Sequence, residues 1–259
     1  MSKIYEPKGR AREYSPLALN LFKGCTHGCK YCYVPRMFKK WQPGYDHSQC
    51  TPQVNFAELE KSAQSLFGCD KQILLSFTGD PYCGVSPETT EKALQILNRY
   101  QHKVAILTKG GCRCLQHIEL FKQFGKRIKV GATLTFDNAK DSAEWEPGAA
   151  MPLDRIEALK QLHKEGIMTW VSFEPTIDPY QSLHLLEMVA PFVDHVKIGK
   201  LNNYNGLDAK IDWASFINKS VKICRDYGLP FYVKDDLRAF NDGTWLLTPE
   251  ETDQDFLNL

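Results

Sequence analysis

Cys25, Cys29 and Cys32 fall within the eight-residue run Cys25-Thr26-His27-Gly28-Cys29-Lys30-Tyr31-Cys32. Thiolates are the usual protein donors to iron–sulfur clusters. Three of them at this spacing can hold three irons of a four-iron cluster. The fourth iron then keeps an open coordination position, the condition for a metal site that binds a substrate as well as holding structure together. Gly24 and Gly28 let the backbone turn tightly around an object of that size. Two other readings stand beside this one. Structural zinc would take His27 or a distant cysteine as fourth ligand, but zinc sites usually come as separated C-x2-C pairs and the chain has no matching second pair. Fortuitous clustering is the third.

The elements that must position these thiols alternate along the chain. Apolar, β-rich runs fall at 18–22, 72–77, 104–107, 128–136, 167–173 and 195–198, with helical patterns between them. Phe56, Leu59, Ala63 and Leu66 keep helical spacing up to Gly68. Ser86-Pro87-Glu88 reads as N-cap, N1 proline and first-turn acid. Leu153, Ile156, Leu159 and Leu162 form another stripe, as do Leu183, Leu186 and Val189, and then Trp213, Phe216, Ile217, Val221 and Cys224. Such alternation implies parallel βαβ units. Six of them make an α/β fold, a curved and incomplete barrel, with 229–233 as a seventh strand or a cap. A single domain over 1–259 is expected, its core at about 15–235 and an irregular cover at 236–259, since α/β barrels of this length occur as single units.

The formal charge of +1 provides no global excess for gripping a polyanion. Locally the balance differs. Lys3, Lys8, Arg10, Arg12, Lys23, Lys30, Arg36, Lys39 and Lys40 gather around the cysteine run, and Glu250, Glu251, Asp253 and Asp255 lie at the far end. The basic half suits a nucleic acid or an acidic electron donor, or is simply a solvated face. The first residues contain no apolar h-region and no run reaches membrane-spanning length. The nine cysteines are scattered and odd in number. A cytoplasmic, reducing location is expected, one that an oxygen-sensitive cluster also needs.

The cysteine run, with Tyr31 just before its last member, resembles the signature of the radical S-adenosylmethionine (radical SAM) superfamily. The wider segment, Ser15-Pro16-Leu17-Ala18-Leu19-Asn20, Gly24-Cys25 and Tyr31-Cys32-Tyr33, is similar to the branch that includes spore photoproduct lyase and the DNA repair photolyase-like proteins. The likeness is specific over residues 14–36 and looser to about 200. It implies a partial (β/α)6 barrel with a C-terminal extension and a [4Fe-4S] cluster on Cys25, Cys29 and Cys32. It also implies S-adenosylmethionine chelated to the open iron, and one-electron cleavage to a 5′-deoxyadenosyl radical. A flavodoxin or ferredoxin would supply the electron.

Barrel enzymes carry their chemistry at the C-terminal ends of strands. There the chain has Thr78-Gly79-Asp80, able to set backbone carbonyls and a carboxylate against an ammonium; the family places the methionyl amine at this position. An ordinary Gly-Asp-Pro turn is the plain alternative. Lys109 suits the methionyl carboxylate, or is a surface lysine. Thr133 and Thr135 alternate onto one face and could bond the ribose. Glu174 could hold ribose hydroxyls or substrate, and Tyr31 would stack near the adenine. Cys83 is a candidate hydrogen-atom donor to a substrate radical, because the lyase's donating cysteine corresponds to Phe77 here. That departure puts the lyase's own reaction in doubt. Cys50, Cys83, Cys112 and Cys114 could alternatively hold an auxiliary cluster or be core residues; Cys69 and Cys224 read as core. Glu146-Pro147-Gly148 echoes a segment of the branch and is given no catalytic role. The expected function is a monomeric radical SAM enzyme acting on a nucleic-acid base or lesion. The alternatives are a peptide or small-metabolite substrate, or a metal-bearing nucleic-acid-binding module without catalysis.

Overall fold

The computed structural model describes residues 3–202, 204 and 206–259. In chain order its elements are β1 (Leu17–Leu19), β2 (Phe22–Lys23), α1 (Val34–Lys39), β3 (Thr51–Pro52), α2 (Phe56–Ser65), β4 (Ile73–Leu75), α3 (Pro87–Arg99), β5 (Val104–Thr108), α4 (Ile118–Phe124), β6 (Ile128–Thr133), α5 (Ala139–Trp145), α6 (Pro152–Lys164), β7 (Met168–Thr176), α7 (Pro179–Val189), β8 (His195–Lys200), α8 (Trp213–Asp226), β9 (Phe231–Val233), α9 (Asp235–Arg238) and α10 (Pro249–Thr252).

The strands β1-β4-β5-β6-β7-β8-β9 form one sheet in that order, parallel throughout. The sheet curls into a partial barrel flanked by helices, with further helices at the C-terminal end. The expected fold is therefore present, with 231–233 as its seventh strand. Side chains that alternate outward, such as Ile73, Leu75, Val104 and Ile106, pack with α2, α3 and α4 in one core. Val171, Phe173, Val196 and Ile198 pack with α7 and α8 in a second. Strands buried on both faces read as unbroken apolar runs, which is why they stood out in the sequence.

The inner face carries Tyr14, Leu74, Ala105 and Trp170. Gly131 is required there, because a Cβ at that position would lie 2.5 Å from the Trp170 indole.

Three local expectations change. The 18–22 run is not one strand. It breaks at Asn20, whose Oδ1 accepts from the Phe77 and Thr78 amides at 2.8 and 3.1 Å, and β2 pairs antiparallel with β3 instead. Ser86 stands at the α3 N-cap in a left-handed conformation and makes no side-chain cap bond. Leu153 is exposed, so the buried α6 face is Ile156, Leu159 and Leu162 together with Arg155.

The last residues cross the N-terminal end of the sheet. Lys129 Nζ donates to the Leu257 carbonyl, Lys197 Nζ to the carbonyls of Glu13 and Gln254, and Gln72 to Asn258. Both lysines are almost wholly buried. Burial, then the nearby Lys234 charge, brings Lys197 down to about 7, and burial holds Lys129 well below the ordinary lysine value. Between pH 7 and about 10 these two lysines therefore bind more protons in the unfolded chain than in the folded one, so their own contribution to stability rises with pH across that window, against the opposite contribution of the buried thiols. Each such lysine contributes about 1.4 kcal/mol per pH unit to the slope. Urea midpoints measured from pH 7 to 9.5 in the wild type and in Lys197→Met should differ in slope by about one lysine's share, the thiol contribution being common to both. An unchanged slope in the variant would mean that Lys197 is protonated in the folded state throughout.

Candidate functional site

A cavity of about 740 Å3 opens where the parallel strands end. On one wall lies the cysteine loop. Gly24, at φ +85°, lets the loop press against the 47–50 segment, where a Cβ would meet the Gln49 carbonyl oxygen at 2.3 Å. The Cys25 amide donates to the His47 carbonyl at 2.7 Å. On the loop's other side, the Lys30 amide donates to the Trp145 carbonyl and the Gly148 amide to the His27 carbonyl, each at 2.9 Å. Cys25, Cys29 and Cys32 all line the cavity, half-buried and in no disulfide. Burial raises all three thiols: Cys29 is pushed up to about 11, with the Lys109 ammonium partly offsetting the rise. Among the described residues no three of His, Cys, Asp and Glu converge on one point as a single-ion chelate requires.

Asp80 is buried, and its carboxylate is occupied by the protein itself. Oδ1 accepts from the Tyr82 amide at 2.7 Å and the Thr108 hydroxyl at 2.6 Å, and Oδ2 accepts from the Lys109 amide at 2.7 Å. His27 Nδ1 lies 3.5 Å from Oδ2, and burial keeps that imidazole below its ordinary pKa. Asp80 thus brackets the loops after β4 and β5 and touches the cysteine loop. Thr78 and Gly79 line the cavity beside it, and the Thr78 amide donates to Asn20 Oδ1.

An Asp80→Asn substitution places an amide N–H against one of these donors and should cost about 1–3 kcal/mol. Thermal stability and S-adenosylmethionine affinity are then expected to fall together. A loss of affinity with an unchanged melting temperature would instead mean direct contact between Asp80 and the cofactor.

Lys109 Nζ stands 5.6 Å from the centre of the Tyr31 ring at the cavity edge. The Tyr31 hydroxyl donates to Glu146 and lies 3.5 Å from Thr135 Oγ1. Burial, reinforced by the Glu146 charge, keeps this phenol well above its usual pKa. Glu146 is fully buried and paired with Arg155 at 2.5 Å; Arg155 also donates to the Thr133 carbonyl at 2.9 Å. Burial pushes the Glu146 carboxyl upward, but Arg155 and then Lys109 outweigh it and the net shift is downward. Thr133 lines the cavity. Thr135 is wholly buried behind it and bonds Tyr31, so the two threonines do not act as a pair on the cavity wall.

Glu174 also lines the cavity, where Tyr14 donates to it and Lys234 Nζ pairs with it at 2.6 Å. Lys234 is buried and reaches Glu13 at 3.4 Å as well. Burial opposes its charge, yet Glu174 and Glu13 raise its pKa on balance. Sequence reasoning missed Tyr14 and Lys234. Lys234 directly follows β9, so the rule that selected Lys109 at the end of β5 would have found it had it been applied to the 229–233 run as well.

Cys83 is not on the cavity. The turn at 79–81 sends it into the core beside α3, where its Sγ lies 3.2 Å from Cys50 Sγ. Cys114 is buried and Cys112 packs against Asp154; neither lines the cavity. The thiols that suggested a hydrogen donor or an auxiliary cluster thus sit behind the wall.

A profile of the Radical SAM superfamily matches residues 19–190, which include the cysteine loop and the strands from β4 to β7. The chain belongs to the radical SAM superfamily. Family membership makes it a radical SAM enzyme and implies the use of a four-iron cluster and S-adenosylmethionine. The chain is 27% identical to the uncharacterized protein MJ0683 of Methanocaldococcus jannaschii over 187 residues, covering 71% of this chain and 70% of that one. It is 24% identical to the uncharacterized protein ORF301 of Acidianus two-tailed virus over 171 residues, 62% of this chain and 56% of the relative. Among solved structures, a spore photoproduct lyase variant with bound AdoMet and dinucleoside spore photoproduct shares the radical SAM fold at TM-score 0.67. That match has 11% identity and covers 90% of this chain and 79% of the lyase. SuiB of Streptococcus suis bound to S-adenosylmethionine matches at TM-score 0.64 and 14% identity, covering 90% of this chain and 53% of SuiB. At these identities the structural likeness concerns the fold alone. Among the described residues no helix is long and apolar enough to cross a membrane.

Proposed function

We propose that this radical SAM enzyme acts on a base or lesion in single-stranded nucleic acid. The observation that carries the reading is the rim of the cavity. Lys8, Arg10, Tyr33, Arg36 and Met37 line it, and Tyr33 and Met37 lie one helical turn apart with their side chains exposed. Beyond them stand Lys39, Lys40 and the almost fully exposed Trp41. Basic groups interleaved with open aromatic faces are what a sequence-tolerant single-strand groove uses. The cavity volume, near the upper part of the range for single-ligand pockets, suits a cofactor and a base-sized ring together.

In this reading Cys25, Cys29 and Cys32 hold the cluster. Their shared place on the cavity wall and their donor chemistry support this, because a cube takes one thiolate per iron and needs no convergence on a single point. When bound, the cluster supplies the electron that cleaves S-adenosylmethionine to a 5′-deoxyadenosyl radical. The remaining roles belong to the chain's own groups. Carbonyls at Thr78 and Gly79 receive the methionyl ammonium while Asp80 brackets their loop. Lys109 meets the carboxylate. Thr133 and Glu174 bond the ribose, and Lys234 with Tyr14 keeps the Glu174 carboxylate fixed. Tyr31 closes the adenine side. A flavodoxin- or ferredoxin-like donor would approach the same basic rim and compete there with nucleic acid.

The test is made on anaerobically reconstituted protein with reductant and S-adenosylmethionine. Single-stranded oligonucleotides, intact and ultraviolet-irradiated, are expected to bind with a salt slope of about 0.7 per phosphate contact and to raise 5′-deoxyadenosine release. Lys39→Ala with Lys40→Ala should reduce the slope. Salt-independent or absent binding, with 5′-deoxyadenosine release unaffected, would remove nucleic acid as the substrate class.

A further inference from the structure

Cys50 and Cys83 meet at the back of the cysteine loop. Their sulfurs are 3.2 Å apart, inside ordinary van der Waals contact. Disulfide geometry would require an approach of about 1.2 Å, within reach of side-chain rotation. Cys83 is 2% exposed, whereas Cys50 is only half-buried and accessible from the surface. Each sits on a segment that grips the cysteine loop. Cys50 ends the segment whose His47 carbonyl accepts the Cys25 amide at 2.7 Å and whose Gln49 carbonyl abuts Gly24. The Cys83 carbonyl accepts the Thr26 hydroxyl. A bond between the two sulfurs would therefore join the supports on either side of Cys25.

We propose that Cys50 and Cys83 are a reversible dithiol–disulfide site that locks the cysteine loop when oxidised by a low-molecular-weight disulfide. The accessible Cys50 thiol gives up its proton as its sulfur attacks one sulfur of the oxidant and expels a thiolate, which takes up a proton. Cys83 then attacks the Cys50 sulfur of the mixed disulfide and expels the second thiolate. The protein loses two hydrogens and two electrons, and the oxidant is reduced to two thiols. A small dithiol reverses both steps. This site goes beyond the proposed reaction, and neither sulfur lines the cavity. The plain alternative, two small residues packed in a core, leaves both thiols inert.

The cluster-loaded protein, kept anaerobic, is treated with glutathione disulfide. Remaining thiols are alkylated under denaturing conditions and the peptides are mapped by mass spectrometry. The expected result is a peptide linking Cys50 to Cys83, about 2 Da lighter than the sum of the reduced peptides, that disappears with dithiothreitol and is not formed by Cys50→Ser. The same link should form in a Cys25→Ala, Cys29→Ala, Cys32→Ala background, so this result does not depend on the cluster assignment. In the loaded protein, iron transfer to a chelator should slow on the order of tenfold after oxidation, because the link restrains the opening of both supports. No such slowing is expected in Cys50→Ser. A stable glutathione adduct on Cys50 without the link, a link from Cys50 to Cys25, or iron release unaffected by the link would each overturn the proposal.

Discussion

Replacing any one of Cys25, Cys29 and Cys32 with alanine is expected to abolish both bound iron and reductive cleavage of S-adenosylmethionine. The three thiols share one cavity wall, where His47 Nε2 lies 3.8 Å from Cys32 Sγ. Its other ring nitrogen is bonded to the Tyr45 hydroxyl at 2.8 Å, and its backbone carbonyl is taken by the Cys25 amide. Structural thiolate sites carry apparent binding free energies on the order of 10 kcal/mol, so losing one of three donors removes far more than a tenfold change in affinity. Anaerobic reconstitution followed by iron, sulfide and 5′-deoxyadenosine assays measures it. A single variant that kept a four-iron complement and full turnover would sink the ligand assignment. The fold should survive these substitutions, because the loop is held by backbone bonds at Cys25, Lys30 and Gly148.

The second large effect is expected away from the cysteines. Arg155→Met leaves Glu146 without its cation in a site where neither side chain has meaningful exposure to solvent. Removing one partner of a buried pair costs about 3–5 kcal/mol, because the remaining charge is left uncompensated. For a chain of this size the melting temperature should fall by roughly 10 °C. The pH dependence fixes the sign. In the wild type the Glu146 carboxyl is depressed, so its contribution to stability is present above the ordinary carboxylate pKa and is lost as pH falls through the folded-state value. In the variant burial dominates, the pKa rises, and acidification should partly rescue stability. Glu146→Gln combined with Arg155→Met should recover most of the loss, and melting curves of the full cycle decide it. Since Glu146 also anchors the Tyr31 hydroxyl, iron retention should weaken along with stability in Arg155→Met. A neutral Arg155→Met would show that the pair does not support the cysteine loop.

Much of this molecule was legible in its residues because the signals are local. Strand positions came from apolar runs, and helix limits from stripes that stop at glycines. Where two demands fell on one short segment, local reading went astray. The run at 18–22 is apolar enough for one strand, but Asn20 uses its side chain to hold the loop after β4, and the pairing changes sheets at that point. Leu153 keeps the helical period, yet the buried position on that face of α6 belongs to Arg155, whose guanidinium has the Glu146 carboxylate to meet.

The site divides in the same way. Cys25, Cys29 and Cys32 could be read together because a run of eight residues brings all three within reach of one small object, whatever the rest of the fold does. Thr78, Gly79, Lys109, Thr133 and Glu174 could be found because each stands at the end of a strand, and parallel strands deliver their ends to one mouth. What each side chain is bonded to was another matter. Glu174 meets Tyr14 across 160 residues of sequence and Lys234 across 60, and Tyr31 meets Glu146 across 115. Cys83, which by position belonged to the mouth, is turned behind it against Cys50. Asp80, which by chemistry could face an ammonium, is already filled by three donors of its own chain. Spacing along the chain determined which thiols could act together and hence the class of chemistry. Only the curl of the sheet decided which charges are paired, because such pairs form between segments whose separation in sequence says nothing about their distance in space.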